Sequence, residues 1–232
     1  VSNFGQDSSF AGNKTAQGNT DENGIGDFYY AVPSGFRALC SRNLPVETSI
    51  IRPKKHFDII LYTGDEATSR KISGLEFKPD FVWIKPRSTT SNHVVLDSVR
   101  GVHNRMLPNS SNGNVNNTST ITAFNVDGFQ IGNSSLLNTD GATHVAWCWK
   151  AGGDSNTFNV DDVGYASASA AGITDGSIAL TAASVNREAG FSIVTYTGTG
   201  SSGTVGHGFT KTPKVVMTKS RSATGSWNLL HT

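Results

Sequence analysis

The sequence predicts an all-β protein built from tandem antiparallel β-sandwich modules of the jelly-roll or lectin-like kind, with few or no helices. Composition is the first observation: 25 of 232 residues are glycine and only 16% are charged, which disfavours long helices with charged outer faces. The second is an ungapped repeat, because Phe57–Ser98 matches Phe191–Thr232 at an offset of 134 residues. Roughly thirteen identities in about forty positions indicate two copies of one module. We expect both copies to form the same strands in the same register.

The strands of the first copy are marked by apolar, β-branched and aromatic runs between turn residues. We expect them, in order, at Phe57–Thr63, Phe81–Lys85, Val94–Leu96, Ile121–Phe124, Gly128–Ile131 and Thr143–Lys150. Asp127-Gly128 is typical of a hairpin turn, and the Asn- and Ser-rich stretch Pro108–Thr120 predicts a loop.

The chain divides into five predicted segments. Residues 1–45 are too short and polar for a core of their own, and contain one expected strand at Phe28–Ala31. Residues 46–54 read as a linker, 55–153 as the first module, 154–189 as connecting strands with a strand at Ser177–Leu180, and 190–232 as the beginning of the second module. Since half a sandwich exposes its core and a strand edge, we expect a continuing chain or another chain to complete it.

Several strings resemble known phage modules. Residues 3–45, with "GDFYYAVPSGFRALC", resemble the C-terminal part of the SPRY-type β-sandwich of large phage structural proteins, although Val32-Pro33 stands where two prolines are usual. The strings "FVWIK", "DSVRG" and "VAWCWKAGG" resemble an uncharacterised tandem repeat domain of the same proteins, mostly from marine and cyanobacterial phages. The resemblance implies a virion location and supplies no catalytic residue.

Charge and cysteine content exclude several classes of protein. A formal net charge of +1 offers no basic field for nucleic acid, and no apolar run is long enough for membrane insertion. Cys40 and Cys148 are too far apart in sequence for a zinc motif or a disulfide framework. No cofactor is expected.

One short acidic string could hold a metal. Asp21, Asn23 and Asp27 are oxygen ligands spaced through a Gly-rich loop, as Ca²⁺ prefers. The string lacks the full twelve-residue ligand pattern, so an Asx-rich turn is the favoured interpretation and no metal site is predicted.

A second string, Asp97-Ser98-Val99-Arg100-Gly101, brings a carboxylate, a hydroxyl and a guanidinium close together. No nucleophile elbow surrounds Ser98. We therefore expect Asp97 and Arg100 to form a structural ion pair that closes the turn after the preceding strand.

The tryptophans allow two interpretations. Trp83, Trp147 and Trp149 could form a platform on which sugar rings stack. Aromatic residues at alternating strand positions more often belong to a core, and the core interpretation is favoured here. His144, on the opposite face from Trp147, is expected to pack or hydrogen-bond inside the strand.

These observations favour a bacteriophage virion structural protein (tail fibre, spike or capsid appendage) that is a rigid spacer and a host-surface glycan adhesin. Arg87 and His93, beside the loops, are the candidate glycan-binding residues. The implied partners are other virion proteins, further copies of the chain, for example in a trimer, and host-envelope polysaccharide. The alternative is a depolymerase domain with paired carboxylates about 5–9.5 Å apart. A free bacterial lectin is disfavoured, and no catalytic residue is predicted because no nucleophile elbow, zinc spacing or phosphate loop occurs.

Overall fold

A computed structural model describes residues 6–43, 50 and 52–231. The chain separates into two compact units, Val1–Ile51 and Arg52–Thr232. The all-β prediction is confirmed: the described residues form strands and two short 3-10 helices, Ser41–Asn43 and Pro53–Lys55. No helix within the described ranges is long and apolar enough to cross a membrane.

All strands of the described residues lie in the second unit. Those of the first module are β1 (Phe57–Thr63), β2 (Arg70–Ser73), β3 (Phe81–Pro86), β4 (Val94–Asp97), β5 (Asn104–Arg105), β6 (Val115–Asn116), β7 (Ile121–Asn125), β8 (Gly128–Ile131) and β9 (Thr143–Trp149). Those that follow are β10 (Phe158–Val160), β11 (Val163–Tyr165), β12 (Leu180–Asn186), β13 (Phe191–Tyr196), β14 (Val215–Thr218) and β15 (Asn228–His231). All six strands predicted in the first module form, with ends that agree to within one residue.

The first module is a sandwich of two sheets. Sheet A has the order β1-β9-β3-β4, and sheet B has the order β2-β8-β7. One apolar cluster joins them, with Val82, Ile84 and Leu96 contributed by sheet A, and Phe129 and Ile131 by sheet B. These five side chains are fully buried, and each contributes about 1.5–3 kcal/mol through burial. The core therefore lies between the sheets, and the other face of sheet A points outward.

The connecting segment 154–189 and the first strand of the second copy form a separate sheet. Sheet C has the order β11-β10-β12-β13, so β13 of the repeat pairs with β12 of the connection across the expected boundary at residue 190. Asp161 and Asp162 connect β10 to β11 with positive φ angles of 50° and 68°, as a two-residue type I′ hairpin turn requires. The strand predicted at Ser177–Leu180 is displaced, because only Ile178 forms an isolated bridge and the strand itself begins at Leu180.

The predicted strand Phe28–Ala31 in the first unit is wrong. Phe28 forms a single isolated bridge to Asn19, and the residues after it are bends and coil. The aromatic run has no neighbouring strand among residues 6–43 with which to extend a ladder, and strands need such partners. Of the expected linker 46–54, only residues 50 and 52–54 lie within the described part of the chain.

The repeat is visible in the strands. β13, β14 and β15 start 134 residues after β1, β3 and β4. The two hairpins share one register, because the pair Val82↔Leu96 corresponds to Val216↔Leu230. Their sheets differ, since β3 pairs with β9 as well as β4, whereas β14 pairs only with β15 among the described residues.

Candidate functional site

The outward face of sheet A carries the candidate site. Side chains alternate along a strand, so the fully buried Ala146 and Cys148 of β9 point into the sandwich. Trp147 and Trp149, between and after them, point outward and remain partly exposed. The prediction that these tryptophans belong to the core is wrong. Bulky side chains of sheet B fill the interior, and the central strand of sheet A therefore presents small residues there.

The outward side chains form three rows across β1, β9 and β3. The rows are Leu61–Val145–Lys85, Ile59–Trp147–Trp83 and Phe57–Trp149–Phe81. The third row is covered at one end of the sheet by Phe191, whose ring stacks on Trp149 at 5.8 Å between centroids. The first two rows stay open, and Leu61 is 61% exposed. We call these two open rows the aromatic face.

Two tryptophans dominate the aromatic face. Trp83 and Trp147 are paired across β3 and β9, with ring centroids 6.3 Å apart and planes at 75°. Neither has a carboxylate beside it in its row. The pair is therefore a broad apolar surface formed by strands, which hold side chains in place better than loops do.

His93 extends this surface with a polar group. The Trp83 Nε1–H donates to His93 Nδ1 at 2.9 Å, and the two rings pack edge to face. Burial, and then the charge of Lys85, lower the pKa of His93, so the ring is neutral near pH 7. Because Nδ1 accepts a hydrogen bond, the single ring proton lies on Nε2, which makes Nε2–H a donor for a ligand.

Arg87 lies at the same end of β3 as His93. Its backbone N–H donates to the Thr143 carbonyl at 2.6 Å, and its side chain is exposed. Lys85 is less free, since its Nζ donates to the carbonyls of Pro86 and Thr89. The structure thus places His93 in contact with Trp83 and Arg87 further along at the same end of β3, whereas sequence reasoning had assigned the tryptophan pair to the core.

The predicted ion pair is buried. Arg100 Nε lies 2.5 Å from Asp97 Oδ2, and its Nη1 also donates to Asn104 O and Asn114 Oδ1. The pair holds residues 98–116 against β4, where Val95 bridges to Met106. Its role in this structure is to anchor that loop.

The acidic string in the first unit is a set of turns. Asp21 Oδ1 accepts the backbone N–H groups of Asn23 and Ile25, and Oδ2 accepts Ala38 N–H and Asn43 Nδ2. Asp27 instead accepts the backbone N–H of Ser8. Asp21 and Asn23 therefore belong to one hydrogen-bonded loop, whereas Asp27 bonds elsewhere. No group of three or more His, Cys, Asp or Glu residues that could hold a metal occurs within the described ranges.

Burial alone would raise the pKa of Asp21, but hydrogen bonds from Ala38, Ile25, Asn43 and Asn23 together lower it to about 2. The carboxylate is a charged centre around which the loop is organised.

The first unit also has an open aromatic groove of about 330 Å³, whose lining includes Phe10, Tyr29, Tyr30 and Phe36.

Sequence reasoning missed the buried Asp80, whereas it expected His144 to pack or hydrogen-bond inside its strand, as the structure shows. Asp80 accepts hydrogen bonds from the Ser98 hydroxyl and from the N–H groups of Ala151 and Gly153. His144 is fully buried, stacks on Tyr62 at 4.8 Å and lies 2.9 Å from the Ala142 carbonyl through Nδ1. The position of Asp80 directly before a strong strand was the available signal, whereas nothing local marks the contact between His144 and Tyr62.

Comparisons with known proteins give one family. The model of a domain of unknown function (DUF7483) matches residues 52–232. No curated protein and no solved structure matches the chain.

Proposed function

The chain belongs to the DUF7483 family, and we propose that it is a bacteriophage virion structural protein that binds host-surface glycans. The observation that carries the proposal is the open Trp83–Trp147 pair on the aromatic face. The virion location is supported by the resemblance of "FVWIK" and "VAWCWKAGG" to repeat domains of phage structural proteins.

The aromatic face has the chemistry that sugar rings require. The C–H faces of a pyranose pack on indoles as apolar surfaces do, and hydroxyl groups around the ring need hydrogen-bond partners. His93 Nε2–H and the Arg87 guanidinium supply donors at one edge. The apolar rows of Ile59 and Leu61 extend the contact toward β1, which suits an extended polymer better than a single sugar.

Charge narrows the class of glycan. The cationic groups at this end of β3 are Lys85 and Arg87, and the outward positions of the rows carry no Asp or Glu. Acidic polysaccharides, with carboxylate, sulfate or phosphate groups, are attracted to such an edge. We therefore propose acidic envelope polysaccharide as the preferred ligand.

Binding of purified host-envelope polysaccharide to the full chain tests the proposal. We expect saturable binding, measured by calorimetry, that weakens by about ten-fold in Trp147→Ala, which corresponds to 1.4 kcal/mol. The matched control is Trp227→Ala, since Trp227 lies outside the aromatic face and donates to the Leu107 carbonyl. Arg87→Gln should weaken binding of acidic polymers and leave neutral ones unchanged.

Two outcomes contradict the proposal. Equal affinity of Trp147→Ala and Trp227→Ala for the polysaccharide would show that the aromatic face is not the binding surface. Release of new reducing ends, lost when one surface carboxylate is replaced by its amide, would favour the alternative depolymerase function.

A further inference from the structure

We propose that the second copy of the module accepts one added antiparallel β-strand with the residue pattern of β9, lying between β13 and β14. Sheet A shows what this position contains in a complete copy: β9 pairs with β1 on one side and β3 on the other. The counterparts of β1, β3 and β4 are all present at the offset of 134 residues. Among the described residues, no strand pairs with both β13 and β14.

The backbone of sheet A shows which edge of β1 is used. Successive residues direct their N–H and C=O groups to alternate edges of a strand. Lys150 N–H donates to the His56 carbonyl, and Gly64 N–H donates to the Ala142 carbonyl, both at 2.8 Å. Residues 56 and 64 flank β1 at even positions. The even-numbered residues of β1 therefore face β9.

The hydrogen bonds of β12 show which edge of β13 is free. Ala183 N–H donates to the Thr157 carbonyl, and Asp161 N–H donates to the Val185 carbonyl, so odd residues of β12 face β10. Even residues of β12 then face β13, in the pair Ser184↔Ile193. The odd residues of β13 are used in this ladder, and its even residues point to the free edge. These even residues are the counterparts of those in β1 that face β9, so the open edge of β13 is the one that the repeat assigns to a β9-like strand.

The side chains of the second hairpin give independent support. Val82 and Leu96 of the first copy are 0% exposed, whereas their counterparts Val216 and Leu230 are 36% and 59% exposed. Both pairs have the same register. An apolar surface whose counterpart is a sandwich interior is expected to be covered by the same kind of element.

The residues of β9 indicate what kind of strand can lie between β13 and β14. The sequence THVAWCW alternates small inward residues, Ala146 and Cys148, with large outward ones, Val145, Trp147 and Trp149. It is seven residues long and has no proline, so each residue can donate to a ladder. Strand addition of this type takes affinity from the main chain and specificity from alternate side chains.

A synthetic peptide with the sequence of residues 143–150, carrying Cys148→Ser, tests the proposal against the full chain. We expect saturable binding in fluorescence anisotropy. In the register of sheet A, Ala146 faces β1, so methylation of the corresponding peptide nitrogen should weaken binding at least about ten-fold through the lost hydrogen bond and the added clash. A scrambled peptide should bind no more strongly than the methylated one.

Substitutions at Val194 locate the binding edge on the protein. Val194 N–H points to the free edge, so Val194→Pro leaves the ladder with β12 intact and should abolish peptide binding. Val194→Thr keeps the N–H and should bind as the natural chain does. Unchanged binding to Val194→Pro would overturn the proposal, because the peptide would then be replacing β9 in the first module. Equal binding of the native, methylated and scrambled peptides would also overturn it.

Discussion

Asp80 is the buried carboxylate that links three parts of the first module. It is 1% exposed and accepts hydrogen bonds from Ser98 at the end of β4 and from Ala151 and Gly153 after β9. Burial raises the pKa of Asp80 despite these hydrogen bonds, which lower it. The residue fixes the path of the chain as it leaves sheet A, which in turn positions the segment that forms sheet C.

Removing the Asp80 carboxyl group should destabilise the module. Asp80→Ala leaves one hydroxyl and two N–H groups without their acceptor, and we expect the free energy of unfolding to fall by about 2–4 kcal/mol. Asp80→Asn retains an acceptor and should cost less. Urea unfolding followed by tryptophan fluorescence measures both values. An equal loss for both variants would contradict the acceptor role.

The hydrogen bonds to Asp21 determine how acid changes the stability of its loop. Its folded-state pKa of about 2 lies below the ordinary value of 3.8, so the carboxylate stabilises the folded loop at pH values above the ordinary pKa. This contribution is lost as pH falls through the interval between the two values. The backbone N–H groups of Ile25 and Ala38, which donate to Asp21, report the change directly.

We expect the amide resonances of Ile25 and Ala38 to shift with a midpoint at about pH 2, the folded-state pKa of Asp21. Asp21→Asn should remove this titration and weaken the loop at neutral pH, whereas Asp175→Asn, an exposed residue in the other unit, should leave it unchanged. Nuclear magnetic resonance of the labelled chain provides the measurement. A titration that persists in Asp21→Asn would assign it to another carboxyl group.

At the scale of elements, the two copies of the module show how one hairpin depends on its neighbours. β3 and β4 are enclosed by β9 on one side and by sheet B across the core. β14 and β15 pair only with each other in the described chain, and all their large apolar side chains are exposed. The local sequence forms the hairpin in both copies, while the stability of each hairpin depends on what packs against it.

Hydrogen exchange should separate the two hairpins. We expect the amides of Val216 and Leu230 to exchange at least about 100-fold faster than those of Val82 and Leu96, because exchange follows local stability. Mass spectrometry of the deuterated chain measures the difference. Addition of the β9 peptide should slow exchange in the second hairpin and at Val194 of β13, and leave the first hairpin unchanged. Equal protection of both hairpins without peptide would contradict the proposed open acceptor.

At the scale of the whole molecule, the proposed glycan contact is small and depends on copy number. An exposed face of two short rows binds weakly, but several copies on one particle raise the apparent affinity without any new contact. A fusion of the chain to a trimeric coiled coil should bind polysaccharide-coated surfaces at least about 100-fold more tightly than the monomer. Surface plasmon resonance measures this, with a trimer of Trp147→Ala as the control. Equal retention of both trimers would exclude the aromatic face as the source of avidity.

The sequence alone predicted six of the nine strands of the first module and the register of the repeat, and it missed the short strands β2, β5 and β6. Runs such as Phe57–Thr63 and Gly128–Ile131 carry their own local signal, and turn spacing preserved over 134 residues transfers register from one copy to the other. The strand predicted from the aromatic run at Phe28 does not form, because Phe28 has only a single bridge to Asn19.

The sequence predicted only part of the candidate site. Alternation along β9 separates Trp147 from His144, but alternation does not say which face is buried. Sheet B decides this, because Phe129 and Ile131 fill the interior beside Ala146 and leave Trp147 on the outside with Trp83. Local sequence therefore determined the six predicted strands of the first module, the register of the repeat and the two sets of alternating side chains. Tertiary packing alone decided which set forms the core and which forms a surface, because burial depends on the sheet that packs against each face.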